Sequence, residues 1–193
     1  MDWFVRRAFR SDFTYPADTT ALLLVNAQRG FFAGEAGAKA VHALVDVARE
    51  HGWPVVHAPF ESDLSMRFPT EAHVRLAAAE DRGAEAIVDA REGDILLEPN
   101  ARLSAFSDTE LEEALRARGL QRLVLAGPLA ELRVDSTLRD GVQLDFHVTL
   151  AREACSTGPA IRDRELYERT WVRYAHQIVD LDQLTRRIPA KTG

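Results

Sequence analysis

The sequence predicts an α/β fold of three layers, with helices on both faces of a six-stranded parallel sheet. Three observations lead to this prediction. Short apolar runs alternate along the chain with longer segments of helical periodicity. The runs lack the alternation of polar and apolar residues seen in half-exposed strands, so both of their faces are expected to be covered. Right-handed crossovers between parallel strands then place helices on both sides of the sheet.

The first half of the chain supplies three strands and two helices. Residues 21–27 (ALLLVNA) are the first predicted strand, and residues 34–52 are a helix with one apolar stripe that ends at a glycine. The second strand covers residues 53–58 and the third covers residues 94–97. Residues 61–92 interrupt this alternation. They contain an Ala-rich amphipathic helix (residues 70–82), and we expect the insertion to overhang the strand ends as a lid.

The second half repeats the alternation. Residues 107–110 (SDTE) offer side-chain oxygens and acidic charge at the start of a helix that ends at Gly119. A strand, a helix through about Leu144 and another strand follow. A further helix and a short strand complete the predicted fold. The three predicted strands are residues 122–126, 146–151 and 177–180, and the last predicted helix is residues 164–174.

Composition excludes several classes of protein. The formal net charge of −6 disfavours nucleic acid as a partner, because phosphate binding needs clustered Lys and Arg. A single cysteine excludes an internal disulfide and a Cys-based zinc cluster, and the scattered histidines predict neither a catalytic zinc nor another cofactor. No run of about 18 apolar residues indicates a membrane span, and no signal peptide is evident, so we expect a cytoplasmic protein.

Four segments in order carry a resemblance to a known family. They are ALLLVNAQRGFF (21–32), GDILLEPNARLSAF (93–106), LEEALRARGLQRLVLAG (111–127) and PLAELRVDSTLRDGVQLDFHVTLAREAC (128–155). Together they resemble the isochorismatase-like cysteine hydrolases, a superfamily that includes isochorismatases, nicotinamidases and N-carbamoylsarcosine amidohydrolases. The resemblance implies an isochorismatase-like, Rossmann-like fold over residues 20–185, between an N-terminal extension (1–19) and a C-terminal tail (186–193). It also implies a homo-oligomer.

The resemblance places substitutions at all three catalytic positions of the family. The general-base aspartate falls at Asn26, the lysine falls four residues before Ser104 at Asn100, and the nucleophilic cysteine falls at Arg133. An amide has no titratable proton near neutral pH, and a protonated guanidinium has no lone pair for attack. Hydrolysis by the family mechanism is therefore not expected.

Arg133 suggests three alternatives. Near a helix N-terminus, it could hold a carboxylate or phosphate bidentately. It could instead form a structural ion pair with Glu61 or Glu131, or belong to a reshaped catalytic pocket. The resemblance places the pocket lining at Phe31, Phe32, Phe60, Glu61, Arg102, Phe106, Leu129 and Ala130. The aromatic members indicate either a site for a planar ligand or a pocket filled by its own side chains. A cis Leu129–Ala130 bond would indicate that the site geometry is retained.

Several other residues suggest chemistry but have simpler interpretations. Cys155, just after the fifth strand, is expected to be a buried inert thiol. His57 is expected to be a hydrogen-bonded core residue rather than a ligand. Ser104 lacks the local motif of a catalytic serine, and Asp135 is expected to favour a helix start. The aromatic N-terminal segment, with Trp3, Phe4, Phe9, Phe13 and Tyr15, is expected to dock on the domain or on a neighbouring subunit.

Two functions follow from these residues. The first is a pseudoenzyme that binds a small carboxylate or aromatic molecule or a protein partner; in one form of this hypothesis, the chain is a non-catalytic partner subunit of an active relative. The second is an enzyme of the same family with changed, non-cysteine chemistry on a small carboxylate or amide, using a group such as Glu61, Asp63 or His57.

Overall fold

The computed structural model describes residues 13–63, 65–157 and 165–190 of the chain. Six strands form one sheet in the order β3-β2-β1-β4-β5-β6, and every pair of neighbours is parallel. The predicted fold class is therefore confirmed. The strands are β1 (Thr20–Val25), β2 (Val55–Ala58), β3 (Ile95–Leu96), β4 (Arg122–Pro128), β5 (His147–Ser156) and β6 (Gln177–Val179).

Helices cover both faces of the sheet because the central strands are apolar on both sides. The α-helices are α1 (Glu35–Glu50), α2 (Glu71–Glu80), α3 (Leu111–Ala117), α4 (Arg133–Gln143) and α5 (Leu181–Thr185). In β1, Leu22 and Leu24 pack with the cluster that includes α1, whereas Leu23 and Val25 pack with the cluster that includes α3 and α4. All six residues of β1 are buried.

Three predicted elements need correction. The oxygens of residues 107–108 do not cap α3, which begins only at Leu111; Asp108 instead has a φ of 55° and accepts a hydrogen bond from Arg102. β5 continues through Ser156, because its last residues pair with the lengthened end of β4. The predicted helix at 164–174 has no α-helical core: one π-helical turn (Leu166–Thr170) and one 3₁₀ turn (Trp171–Arg173) replace it.

The predicted N-terminal segment is described only from Phe13 onward. Tyr15 is fully buried and its hydroxyl lies 3.1 Å from Thr149 Oγ1. Phe13 lies against the ring of His147, with 4.3 Å between the ring centroids. Trp3, Phe4 and Phe9 lie outside the described residues. In the part of the chain that is described, no helix combines the length and apolar character needed to cross a bilayer.

Candidate functional site

Asn26 occupies the turn that follows the central strand β1. Its backbone N–H donates to Ala58 O at 3.0 Å, and its φ of 54° lies in the left-handed region that asparagine tolerates better than most residues. The side chain is fully buried. The carboxyl ends of β1 and β2 therefore hold this amide in one orientation beneath the insertion.

Arg133 is the first residue of α4, and its side chain runs into the interior, where 1% of the residue is exposed. One terminal nitrogen, Nη1, donates to Asn26 Oδ1 at 2.7 Å and to Pro59 O at 3.0 Å. The other, Nη2, lies 3.5 Å from Asn100 Oδ1, at the limit of a hydrogen bond. The structure thus brings together the three residues that the resemblance singled out.

The guanidinium of Arg133 has no carboxylate partner among the residues that the structure describes. Its neighbours are neutral oxygens and the ring of Phe60, whose centroid lies 5.5 Å from Cζ. Burial lowers the pKa of Arg133 from 12.5 to about 10, so the side chain remains protonated at neutral pH. That shift corresponds to about 3 kcal/mol of lost charge solvation.

The expected ion pair with Glu61 or Glu131 is not formed within the described ranges. Glu131 lies 2.5 Å from Arg75 of α2, so this carboxylate fastens the insertion to the loop before α4 instead. Glu61 is exposed and lies outside the pocket. The anion-binding alternative is not favoured by this conformation either, because Arg133 presents almost no surface to a ligand.

Asn100 follows β3 and completes the wall of the site. Its backbone bridges to Phe60, and its side-chain oxygen accepts a hydrogen bond of 2.9 Å from the Arg102 N–H. The same oxygen therefore organises its own loop and faces Arg133. An amide suits both tasks because its oxygen accepts without adding a charge.

The turn between β4 and α4 approaches β1 closely at Gly127. A Cβ at this position would lie 2.0 Å from Val25 O, so a side chain would push the two strands apart. Leu129 follows with a φ of 46°, and the Ala130 N–H donates to Ser156 O at 2.9 Å. The Leu129–Ala130 bond is trans, as are the other described peptide bonds. The cis bond considered from sequence is not present.

The insertion is docked on the site by Gln28, which lies in the turn after β1 but was not predicted to be a site residue. The Gln28 side chain accepts from Phe60 N at 2.8 Å and donates to Phe60 O and to Ala84 O, both at 3.0 Å. It joins β2, the insertion and the turn after β1 through one buried amide. The resemblance could have identified it, because the first strand and turn of the family usually end in the pattern Asp-x-Gln-x-x-Phe, and residues 26–31 match its glutamine and phenylalanine.

The predicted pocket lining separates into three groups. Phe31, Phe60 and Leu129 form a cluster with residues of the insertion, and Ala130 is fully buried in the core next to the site. Glu61 and Arg102 lie outside, along an open cavity. The remaining two, Phe32 and Phe106, are partly buried and pack against the two main core clusters. Phe106 stacks on Phe146, with 5.7 Å between the ring centroids, and its ring lies beside Gly141 of α4.

The other residues that suggested chemistry are tied into the fold. His57 Nε2 lies 3.1 Å from Asp94 Oδ2. Cys155, which lies within β5 rather than after it, directs its thiol to Leu125 O, and burial raises its pKa to about 12. Ser104 Oγ accepts from the Phe106 N–H, and Asp135 accepts from Arg139 and from Trp171. These contacts provide no activated nucleophile.

No cluster of three or more His, Cys, Asp or Glu side chains with metal-binding geometry occurs in the ranges 13–63, 65–157 and 165–190. Around Arg133, only neutral amides and carbonyls of the described residues lie within hydrogen-bonding distance. None of these groups can accept a proton from a substrate near neutral pH. The arrangement can position groups, but it offers no acid–base pair.

Comparison with known proteins gives a consistent picture. The family model described as the isochorismatase domain matches residues 20–179. The ureidoacrylate amidohydrolase RutB of Stutzerimonas stutzeri is 46% identical over 68 residues, which is 35% of this chain and 27% of the relative. RutB of Methylorubrum extorquens is 37% identical over 138 residues, or 65% of this chain and 54% of the relative. The matched segments thus span about a quarter to a half of these relatives.

Solved structures share the fold over most of their length. An isochorismatase family protein from Desulfovibrio vulgaris has a TM-score of 0.71 and 24% identity, covering 87% of this chain and 97% of its own. The pyrazinamidase of Pyrococcus horikoshii in complex with zinc has a TM-score of 0.64 and 27% identity, covering 84% and 99%. The first of these likenesses, below 25% identity, concerns the fold alone.

Proposed function

The chain belongs to the isochorismatase family, and we propose that it is a non-hydrolytic member whose scaffold serves binding. The observation that carries this proposal is the position of Arg133. Its guanidinium fills the space between Asn26 and Asn100 and is 1% exposed. A cation that stays protonated and hydrogen-bonded at the nucleophile position cannot form an acyl intermediate.

The chain lacks all three catalytic side chains of the family, which would act together as a unit. Without a carboxylate at residue 26, no base lies in place to activate water or a thiol, and such acid–base help is worth about 10²–10⁴-fold in rate. Without a lysine at residue 100, the site lacks the cation that would stabilise the negative charge developing on the substrate during the reaction. We therefore expect no turnover of ureidoacrylate, the substrate in the name of the RutB relatives, or of nicotinamide.

The test is an assay of the purified full chain on ureidoacrylate, nicotinamide and pyrazinamide, with product measured by chromatography. The expected result is a rate equal to that of the buffer. A matched variant, Asn26→Asp with Asn100→Lys and Arg133→Cys, restores the three family side chains and shows whether the scaffold still supports the reaction. Hydrolysis by the unaltered chain that disappears in Asn26→Ala would overturn the proposal.

The second candidate is an enzyme with changed chemistry. It requires a general base near Arg133. Of the candidates, Glu61 and Asp63 are exposed and His57 is hydrogen-bonded to Asp94. Turnover of a small carboxylate that is lost in Arg133→Ala would establish this candidate instead.

A further inference from the structure

Two adjoining cavities lie outside the filled site, between the insertion and the loop after β3. The apolar recess has a volume of about 210 Å³ and is lined chiefly by Phe60, Met66, Pro69, Val74, Ala77 and Ala101. The outer basin has a volume of about 610 Å³, and its charged lining is Glu61, Asp63, Arg102 and Asp108. Ser62, Asp63, Met66 and Ala101 border both. The volume of the basin lies in the range of small-molecule sites, and the recess adds a smaller chamber beside it.

Apolar surface concentrates around the recess. Phe68 is 76% exposed and Val74 is 61% exposed, the former just before and the latter within α2. Exposed apolar side chains are common singly, but here they flank a cavity whose lining is mainly apolar, with Ser62, Asp63 and His73 as its polar members. A cavity of this size and lining suits an apolar group such as one aromatic ring.

The basin has the opposite character. Arg102 lies 2.5 Å from Asp108, and these two charges offset one another. Glu61 and Asp63 have no Lys or Arg within salt-bridge distance in the described part of the chain. Asp63 accepts hydrogen bonds from both the hydroxyl and the backbone of Ser65, and these bonds, with a smaller effect from the charge of Arg102, lower its pKa and favour its ionised form. Three carboxylates and one guanidinium leave the basin with a net negative charge.

Arg133 does not reverse this charge balance, because its single positive charge, which faces Asn100 from the inner side, is smaller than the excess of two carboxylates in the basin. We propose that the recess and the basin together bind a small amphipathic cation, with an aromatic or aliphatic group in the recess and a protonated amine beside Glu61 and Asp63. The charge is therefore opposite to that of the carboxylate ligand considered from sequence. The inference extends the proposed binding role and specifies its ligand class.

The test compares three probes that share a phenyl group: phenethylamine, 2-phenylethanol and 3-phenylpropionate. Calorimetric titration of the full chain is expected to give the tightest dissociation constant for the amine, about 5-fold below that of the alcohol, because two partly screened carboxylates contribute modestly. Binding of the amine is also expected to weaken as salt rises. Tighter binding of the carboxylate than of the amine, or equal binding of all three, would overturn the assigned charge.

Two pairs of variants locate the site. Glu61→Gln with Asp63→Asn should weaken the amine about 5-fold and leave the alcohol unchanged, whereas the control pair Glu50→Gln with Glu113→Gln, on α1 and α3, should change neither. Ala77→Phe fills the recess and should abolish binding of the amine and of the alcohol, whereas Ala78→Phe, on the same helix outside the recess, should not.

Circular dichroism confirms that each variant is folded. Amine binding that survives Ala77→Phe, or no binding of any probe, would refute the site. Since no step measures turnover, this failure is separate from a failure of the non-hydrolytic proposal.

Discussion

The two edges of the sheet bury titratable groups in opposite ways. At the carboxyl edge, Arg133 keeps its proton, because even its lowered pKa of about 10 is far above neutral pH. At the amino edge, His147 begins β5 and stacks on His176, with 4.7 Å between the ring centroids. Burial first, then the charges of His176 and Arg122, lower the pKa of His147 to about 4, so this ring is neutral at pH 7.

The difference shows that the effect of burial on a titratable side chain depends on the pKa of that side chain in water. A histidine loses its charge at little cost, whereas an arginine cannot do so near neutral pH and must be surrounded by acceptors. Asn26, Pro59 and Asn100 provide those acceptors. Neither ring nitrogen of His147 has a hydrogen-bond partner among the described residues.

Removing the Arg133 side chain should have the largest effect on this comparison. Arg133→Ala is expected to lower the free energy of unfolding by about 3 kcal/mol, because it opens a cavity and leaves buried oxygens without donors. Arg133→Met should cost about 1 kcal/mol or less, since it keeps most of the volume and removes the buried charge. Urea unfolding measures both. The control is Arg139→Met on the half-exposed face of α4, and equal losses for Ala and Met would contradict a space-filling role.

Supplying a counter-charge should sharpen the comparison. Asn26→Asp places a carboxylate where the amide oxygen lies 2.7 Å from Nη1, and it is expected to raise the free energy of unfolding by about 1–2 kcal/mol at pH 7. The new carboxyl should have a lowered pKa in the folded state. Its contribution is then fully present above the unfolded pKa of about 4 and is lost as pH falls through the folded value.

Asn100→Asp, at the longer distance of 3.5 Å, should stabilise less. A destabilised Asn26→Asp protein at pH 7 would show that Arg133 does not need a counter-charge.

The smallest expected effect is the pH dependence of stability that His147 causes at the amino edge. Because the folded pKa of His147 lies below the unfolded value of about 6.5, the unfolded chain binds the extra proton first. Stability should therefore be constant above pH 6.5 and fall by about 1–2 kcal/mol toward pH 4, a figure reduced because the ring is only partly buried. His147→Leu should reduce this slope in urea titrations, with the remainder due to His176, whose pKa is also lowered by burial, whereas the exposed His42→Gln should not change it. An unchanged slope in His147→Leu would assign the loss to other groups.

Much of the fold was predictable from local pattern. The apolar runs at residues 21–27 and 122–126 identified the two central strands, because a strand covered on both faces must be apolar throughout. Short elements were less accessible. The last helix, α5, was missed, since five residues carry little periodicity. Before α3, the Thr109 hydroxyl accepts the N–H of Leu111, whereas Ser107 and Asp108 belong to the preceding turn, because Ser, Asp and Thr occur in both turns and caps.

For the candidate site, the resemblance located Asn26, Asn100 and Arg133, which the structure then placed together. The side-chain contacts around the site were not predictable in the same way. Glu131 lies two residues from Arg133 in the sequence but pairs with Arg75 of the insertion, 56 residues away. Phe106, which the resemblance placed in the pocket lining, stacks on Phe146. These contacts depend on which side chains come together in space, and the spacing of residues along the chain does not show which ones do.

The sequence by itself determined the alternation of strands and helices and the chemical types at the end of β1, after β3 and at the start of α4. Only the tertiary structure decided that Arg133 fills the space between Asn26 and Asn100. The burial of a side chain is set by the distance between the surrounding elements rather than by residue type. The same packing left an apolar recess and an acidic basin outside that pocket. Their walls come from segments separated by tens of residues, and no local pattern specifies how such segments meet.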